Sequence, residues 1–250
     1  MLMNNRMPLP TRLQTDRLPE LKKHPDQPTA HPVLFFDIDG TMLSTQAGRR
    51  AISDAFQELF GVEEAFTDIS FAGQTDPLIV RRVFIENSVE PTPQNFEKLY
   101  QLYYSNLYRE IQTDLKLING IDTLLEKLQA LPLHLGIITG NNFIGAQIKL
   151  GVAGLHSFFE GGAFGEDGPQ RTKIARAGLD KFNADPARCL MIGDSVHDIR
   201  VGRENGMLTL ALPTGVTPRE NLEKENPDYL FDNLDEEKLF AVLENNNFLN

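Results

Sequence analysis

The chain has 250 residues and a net charge of −11, with 35 acidic against 24 basic side chains. Its 41% hydrophobic and 24% charged residues are the proportions of an ordinary globular protein, long enough for one domain with an insertion or for two modest domains. So acidic a chain argues against nucleic acid or an anionic membrane surface as its main partner, because both carry negative charge.

The only cysteine, Cys189, cannot form an internal disulfide, which favours a reducing compartment. It lies in an apolar run and is predicted to belong to the core. No apolar stretch approaches the roughly 18 residues of a membrane span. We therefore expect a soluble, cytoplasmic protein with no membrane partner.

Residues 1–31 are polar and rich in proline, which predicts a flexible or loosely docked N-terminal extension. The run V-L-F-F at 33–36 then predicts a strand buried on both faces of a parallel sheet. Asp37 and Asp39 follow one residue apart, so an extended chain places both carboxylates on one side. Gly40 lets the backbone turn and bring its N–H groups near an anion. Taken alone, D-x-D-G-T is also compatible with a polar turn after a strand.

Residues 44–118 have a helical apolar period. One stripe runs through 52–60 and ends before Gly61, and a second covers 79–84. Thr92 and Pro93 are a suitable N-cap and first-turn pair for a long third helix, whose tyrosines are predicted to be core and rim. The segment 44–118 is therefore predicted to be an all-helical insertion.

From residue 119 onward, strands and helices alternate. Strands are predicted at 133–138, 158–164, 189–192 and 208–212, with an edge strand at 229–231. The alternation predicts an α/β fold, an open, doubly wound, mostly parallel sheet covered on both faces. Its core would comprise residues 32–43 and 119–250.

Ligands of such sheets bind beyond the carboxyl ends of the strands. Here the first strand ends in Asp37, the second in Thr139-Gly140-Asn141 and the fourth in Gly193-Asp194-Ser195. These are groups that a phosphate and metal site needs. The Thr139 hydroxyl and nearby backbone N–H groups are candidates to hold a phosphate oxygen, with a turn that opens the next helix as the alternative.

Asp198 follows Asp194 by four residues, so a helix that begins near Ser195 would bring the two carboxylates together. With Asp37 they would form an all-oxygen site, which suits Mg²⁺. Helix capping is the alternative for Asp194 or Ser195. A basic residue should balance a phosphoryl group, and Arg171 and Lys173 are the candidates.

Together the motifs resemble the haloacid dehalogenase-like hydrolase superfamily: D-I-D-G-T at 37–41, T-G at 139–140, a basic residue near 171–173 and G-D-S-x-x-D at 193–198. The resemblance covers about residues 32–245. The insertion is placed like the helical cap of phosphoglycolate phosphatase-like and β-phosphoglucomutase-like members. This implies a Rossmann-like core domain with a cap domain at 44–118.

By this resemblance, Asp37 would be the nucleophile that forms an aspartyl-phosphate, and Asp39 would be the general acid and base. The Asp37 carboxylate, the Asp39 backbone carbonyl and Asp194 would bind the metal, supported by Asp198. The groups expected to hold the phosphoryl oxygens and substrate are Thr139, Arg171 or Lys173, Gly40, Thr41, Gly140 and Asn141. One departure is that the family usually has Lys-Pro at the third motif, where this chain reads G-P-Q-R-T-K.

Asp39 favours phosphoryl transfer over dehalogenation, because a halide leaves without needing a proton. Residues 71–76, F-A-G-Q-T-D, resemble the loop that such caps lower toward the active site, so Thr75 and Asp76 are candidate substrate contacts. Arg49 is another, near the start of the first cap helix. Helix capping is the alternative for Asp76, and a solvated position is the alternative for Arg49.

The expectation is a Mg²⁺-dependent phosphatase, a monomer or homodimer, that hydrolyses a small phosphate ester as phosphoglycolate phosphatase does. One alternative is a phosphomutase of the β-phosphoglucomutase type, which would return the phosphoryl group to its product. Another is a non-catalytic regulatory protein, which would have no need for both Asp37 and Asp39.

Overall fold

A computed structural model describes residues 20–26, 31–66, 69 and 74–249. Most of the predicted N-terminal extension lies outside these described residues. So do Phe71, Ala72 and Gly73 of the loop that was predicted to approach the active site.

In the described part of the chain, six strands form a central parallel sheet, and two others form a separate antiparallel pair. In chain order the strands are β1 Val33–Phe36, β2 Leu43–Ser44, β3 Lys116–Leu117, β4 His134–Ile138, β5 Gly161–Ala163, β6 Cys189–Gly193, β7 Leu208–Ala211 and β8 Tyr229–Leu230. Strands β2 and β3 form the separate pair. The sheet order is β5-β4-β1-β6-β7-β8. Strand β1 is entirely buried and pairs with both β4 and β6, so that Phe36 lies opposite Ile137 and Ile192. The predicted α/β fold is confirmed.

Helices alternate with the strands after residue 119, as the sequence predicts. In chain order the helices are α1 Ala47–Phe60, α2 Asp76–Glu86, α3 Pro93–Asp114, α4 Ile121–Gln129, α5 Phe143–Ala153, α6 Arg171–Phe182, α7 Val196–Glu204, α8 Arg219–Lys224 and α9 Glu236–Asn245. Gly61 ends α1 in the left-handed conformation, and the Thr92 hydroxyl accepts a bond from the Asn95 N–H at the start of α3. None of the helices in the described ranges is long and apolar enough to cross a membrane.

After residue 119, one strand and one helix differ from the prediction. The strand predicted at 158–164 covers only 161–163, because a 3₁₀ turn occupies His156–Phe158. Helix α8 was not predicted, since its six residues bury only Leu222 and are too short to show a period.

Helices α1, α2 and α3 share an aromatic core of their own. The Phe56 ring packs on Phe60, Phe66 and Phe84 at centroid distances of 4.8, 5.6 and 5.4 Å. The tyrosines of α3 that are buried here, Tyr100, Tyr103 and Tyr104, were expected to be core. The aromatic side chains therefore stabilise this helical region independently of the sheet.

The predicted insertion is not wholly helical. Strands β2 and β3 pair antiparallel, with Leu43 opposite Leu117, and join the two chain segments that enter and leave the helical region. The predicted limits of the insertion, 44 and 118, fall at this ribbon. We expect it to be the boundary between core and cap.

Helix α5 packs against both regions. Its Ile148 belongs to the core of the helical region, whereas Ala146 and Leu150 belong to the core beneath the sheet. The helix that follows the second predicted motif is therefore shared by the two hydrophobic clusters.

Residues 20–26, which belong to the extension predicted to be flexible or loosely docked, contact the sheet through Leu21 and the backbone near Lys23. Leu21 is 1% exposed and belongs to the main core. The Gly162 N–H donates to the Lys23 carbonyl at 3.4 Å, which places the segment along the edge strand β5. The covered edge is less available for pairing with another chain.

Leu21→Ala should lower the free energy of unfolding by about 2–5 kcal/mol, because it removes a fully buried side chain and leaves a cavity. Denaturant titration of the full chain measures this. Lys22→Ala, at the exposed neighbouring position that pairs with Asp26, is the matched control and should change stability by less than about 0.5 kcal/mol. Equal stabilities for the two variants would show that the segment is not packed in solution.

Candidate active site

Three aspartates meet at the carboxyl end of the sheet. Asp37 follows β1, Asp194 follows β6, and Asp198 lies in the first turn of α7. All three are buried, and each offers a carboxylate oxygen within 4.8 Å of the others. The structure thus brings together the carboxylates that the spacing of the motifs predicts.

The aspartate cluster has three carboxylates and only one guanidinium, that of Arg171, against them in the described part of the chain. Burial raises the pKa of Asp37 to about 7 and that of Asp194 to about 8, and the neighbouring carboxylates add to both shifts. The Arg171 guanidinium partly opposes the shift of Asp37. Asp37 Oδ1 is buried and accepts no hydrogen bond. Buried, acidic oxygen ligands with one uncommitted atom are the donor set that suits a hard divalent cation.

Both carboxylate oxygens of Asp198 are bonded to groups of the protein. Its Oδ2 accepts bonds from the Ser195 N–H at 3.1 Å and from the Ser195 hydroxyl at 2.6 Å, while Oδ1 accepts from Arg171. The Ser195 hydroxyl in turn accepts from the Asp198 N–H, which completes a capping box for α7. Because both oxygens of Asp198 already accept hydrogen bonds, Asp37 and Asp194 have the more available carboxylates of the cluster.

Arg171 is the basic residue at this cluster. Its Nη2 lies 3.3 Å from Asp37 Oδ1 and also binds Asp198, and its buried Nε has no hydrogen-bond partner. Lys173 is exposed, and within the described part of the chain its ammonium makes no hydrogen bond or ion pair. Two residues along a helix turn a side chain by about 200°, so the two cannot face the same site. Of the two basic residues predicted as candidates, Arg171 lies at the aspartate cluster and Lys173 does not.

A tight turn after β1 fits closely around Asp194. Gly40 has φ +82°, and a Cβ there would lie 2.5 Å from Asp194 Oδ2, so both conformation and space require glycine. The buried Thr41 hydroxyl lies 3.5 Å from Asp194 Oδ1, and the Thr214 hydroxyl donates to the Gly40 carbonyl at 2.6 Å. Gly40 and Thr41, predicted to bind substrate, thus position a carboxylate, aided by Thr214, which sequence reasoning missed.

Asp39 lies on the other side of the site, beside a lysine that was not predicted. Lys149 Nζ donates to both oxygens of Asp39, at 2.8 and 2.6 Å, and to Asn141 Oδ1 at 2.7 Å. The Asn141 amide donates to Asp39 at 2.8 Å and to the Thr139 hydroxyl at 2.9 Å. Asn141, predicted to contact substrate, has its side chain committed to these neighbours. The sequence signal for Lys149 is a single charge in the otherwise uncharged helix F-I-G-A-Q-I-K-L-G-V-A.

Thr75 and Asp76 join the helical region to the second motif. The Asp76 N–H donates to the Gly140 carbonyl at 2.9 Å, and its carboxylate accepts from the Asn142 N–H at 3.0 Å. A Cβ on Gly140 would lie 2.3 Å from the Gln74 carbonyl oxygen, so this close approach requires glycine. Thr75 is the N-cap residue of α2, and its buried hydroxyl has no hydrogen-bond partner.

Arg49 was predicted as a substrate contact, but its described contact is elsewhere. It is exposed, and its guanidinium donates to the Phe66 carbonyl at 2.6 Å inside the helical region. This fits the solvated alternative for Arg49.

Comparison with known proteins agrees with the site. Residues 34–212 match the haloacid dehalogenase-like hydrolase family. The chain belongs to this family. A phosphoglycolate phosphatase from Agrobacterium fabrum is 25% identical over 206 residues, which cover 80% of this chain and 88% of that protein. The pyrophosphatase PpaX from Bacillus pumilus is 28% identical over 219 residues, which cover 82% of this chain and 93% of that protein.

A solved structure of similar fold is the β-phosphoglucomutase from Clostridium difficile. It is 19% identical, with a TM-score of 0.68, over 87% of this chain and 97% of its own. At this identity the likeness concerns the fold alone. It covers the sheet together with helices that are consistent with a cap.

Millimolar Mg²⁺ should raise the melting temperature of this hydrolase by several degrees, because a cation that binds only the folded state stabilises it by mass action. Asp194→Asn should lose this shift, since it removes a ligand. Asp180→Asn, at an exposed position paired with Arg176, should keep it. Thermal denaturation with KCl of matched ionic strength as reference separates binding from screening. A full shift retained in Asp194→Asn would contradict the metal site.

Asp76→Asn should become increasingly stabilising relative to the wild type as pH rises from about 4 to 6. Burial raises the folded-state pKa of Asp76 to about 6 from its ordinary 3.8, against the attraction of Lys149. In this window the unfolded chain loses the proton first, so ionisation lowers wild-type stability, whereas asparagine still accepts the Asn142 bond and has no proton to lose.

The stability difference should grow by about 1–3 kcal/mol and level off above pH 6. Urea unfolding of both proteins at matched pH values measures it. The exposed Asp54→Asn shows what the loss of one negative charge does by itself. A difference independent of pH would contradict the raised pKa.

Proposed function

We propose that this phosphatase hydrolyses a small phosphate monoester, with Mg²⁺ as its cofactor and an aspartyl-phosphate on Asp37 as intermediate. The supporting observation is the division of labour between two aspartates. Asp37 lies in the buried carboxylate cluster beside Arg171, whereas Asp39 lies two residues further on, outside that cluster, with a half-exposed carboxylate. One group is placed for nucleophilic attack, and the other for proton transfer.

In the first step an Asp37 oxygen bonds to phosphorus while the bond from phosphorus to the leaving oxygen breaks. Asp39 gives its proton to that oxygen, so the leaving group departs as an alcohol. Arg171 can donate from its unpartnered Nε to a phosphoryl oxygen. The Thr139 hydroxyl accepts two bonds from Asn141, which leaves its own proton to donate.

In the second step Asp39 takes a proton from water, and the water oxygen attacks phosphorus. The bond to Asp37 breaks, which releases inorganic phosphate, restores the Asp37 carboxylate and leaves Asp39 protonated for the next turnover. Bound Mg²⁺, held by Asp37, Asp194 and the Asp39 backbone carbonyl, would supply positive charge against the phosphoryl oxygens.

The surroundings of Asp39 support a small, polar leaving group. A Cβ on Gly48 would lie 3.7 Å from Lys149 Nζ and 3.8 Å from the Tyr103 hydroxyl, so α1, α3 and α5 converge there. The Tyr100 ring lies 6.4 Å from the Tyr103 ring, and the hydroxyls of Tyr100 and Thr75 are buried without hydrogen-bond partners. Buried donors without partners favour a substrate that carries hydroxyl or carboxylate oxygens.

These features favour a compound like phosphoglycolate, the substrate named for the relative from Agrobacterium fabrum. We place the enzyme in the cytoplasm, where Cys189, buried and free, would remain reduced. A monomer or a homodimer is compatible with this activity.

The test is phosphate release from a panel of small esters, including phosphoglycolate and hexose phosphates, with and without Mg²⁺. Release should require Mg²⁺ and fall to background in Asp37→Asn, which keeps the shape of the nucleophile but not its reactivity. Asp180→Asn is the matched control on the surface and should match the wild type. Asp39→Asn should lose about 100- to 10,000-fold on alkyl esters, the usual contribution of general acid–base catalysis.

Other outcomes would point to the alternatives. A hexose phosphate converted to its isomer without free phosphate would favour a mutase, the activity named for the Clostridium difficile structure. Mg²⁺ binding without turnover of any ester would favour a regulatory protein.

A further inference from the structure

Lys149 is an unusual residue in this structure. Of the lysines and arginines in the described part of the chain, it is the only one in the fully buried class, at 5% exposure. It is also the single charged residue of α5, a helix whose neighbouring side chains pack into the two hydrophobic clusters. A lysine in such surroundings is costly unless its charge is paired and its protons are bonded.

The hydrogen bonds of Lys149 reach the Asp39 carboxylate and Asn141, which itself binds Asp39. An ammonium group has three donors, and here they meet both oxygens of Asp39 and the Oδ1 of Asn141. Asn141 binds the same Asp39 carboxylate through Nδ2. Two residues therefore hold the carboxylate, while the Asp39 side chain as a whole is still 41% exposed.

We propose that Lys149 is a positioning residue that fixes the Asp39 carboxylate for proton transfer to and from the leaving oxygen. The inference rests on the proposed function. An aspartate on a turn can adopt several rotamers, but a general acid must lie within hydrogen-bond reach of one oxygen. Charge-assisted bonds from Lys149 and Asn141 select one rotamer before substrate arrives.

A purely structural lysine occurs elsewhere in the same fold and provides a comparison. Lys181 binds Asp167 at 2.6 Å and the Gly162 carbonyl at 2.9 Å, with its side chain 13% exposed. None of its partners belongs to the aspartate cluster or to Asp39. Lys181 thus offers a matched control for the loss of a largely buried ion pair.

The test compares esters that differ in their need for a general acid. Glycerol phosphate has an alkoxide leaving group and requires a proton, whereas 2,4-dinitrophenyl phosphate has an acidic leaving group and requires none. Lys149→Met, with an unbranched side chain that tolerates burial, should lower kcat on glycerol phosphate about 100-fold with little change in KM. On the dinitrophenyl ester it should lower kcat by less than about fivefold.

Asp39→Asn should likewise lose much more kcat on glycerol phosphate than on the dinitrophenyl ester. The double variant, Lys149→Met with Asp39→Asn, should be no slower than Asp39→Asn alone, because Lys149 acts through Asp39. Lys181→Met should be less stable, with the ratio of the two rates unchanged. If Lys149→Met does not fold, Lys149→Arg gives the same readout, because its planar fork cannot reproduce the three bonds of the ammonium.

Equal losses on both esters, or a further loss in the double variant, would overturn the positioning role. So would a Lys149 variant with wild-type rates on both. Failure of the proposed function is distinct, since the wild type would then release no phosphate from either ester.

Discussion

Repulsion among buried carboxylates is the constraint on which this site depends. Asp37, Asp194 and Asp198 are held within contact distance by strands and a helix that are fixed by the hydrophobic core. Their charges cannot all be carried without compensation, which is why burial raises the pKa of Asp37 and Asp194. The cluster therefore needs positive charge, of which Arg171 supplies a part and a bound divalent cation would supply more.

The site follows from the parallel sheet because β1 and β6 are adjacent and in register. Phe36 pairs with Ile192, so Asp37 and Gly193 leave the sheet at the same level, and Asp194 comes next. Spacing within each motif and the rule that ligands lie beyond strand ends were sufficient to predict this meeting. Helix ends could also be predicted where the sequence contains capping residues, such as Gly61 at the end of α1 and Thr92 at the start of α3.

The features that the sequence did not predict depend on how elements pack in three dimensions, not on a local residue pattern. Sequence left Arg171 and Lys173 open, and only the position of α6 on the sheet shows which one faces Asp37. The β2–β3 ribbon has two residues in each strand, too few to show an alternation. The packing of residues 20–26 rests on Leu21, one apolar residue in a polar segment, which no periodicity could reveal.

The basic side chains of Arg171 and Lys149 differ in how far each must reach to its carboxylate partner. Arg171 opens α6, next to the strand ends, whereas Lys149 is the seventh residue of α5 and lies about 9 Å along the helix from its start. Side chains on a helix point back toward its N-terminus, so a long, unbranched lysine can span that distance and reach Asp39. A shorter basic or polar side chain at the same position would not reach Asp39. Its length, as much as its charge, therefore makes Lys149 the residue that brings a buried helix position into contact with the acid–base group.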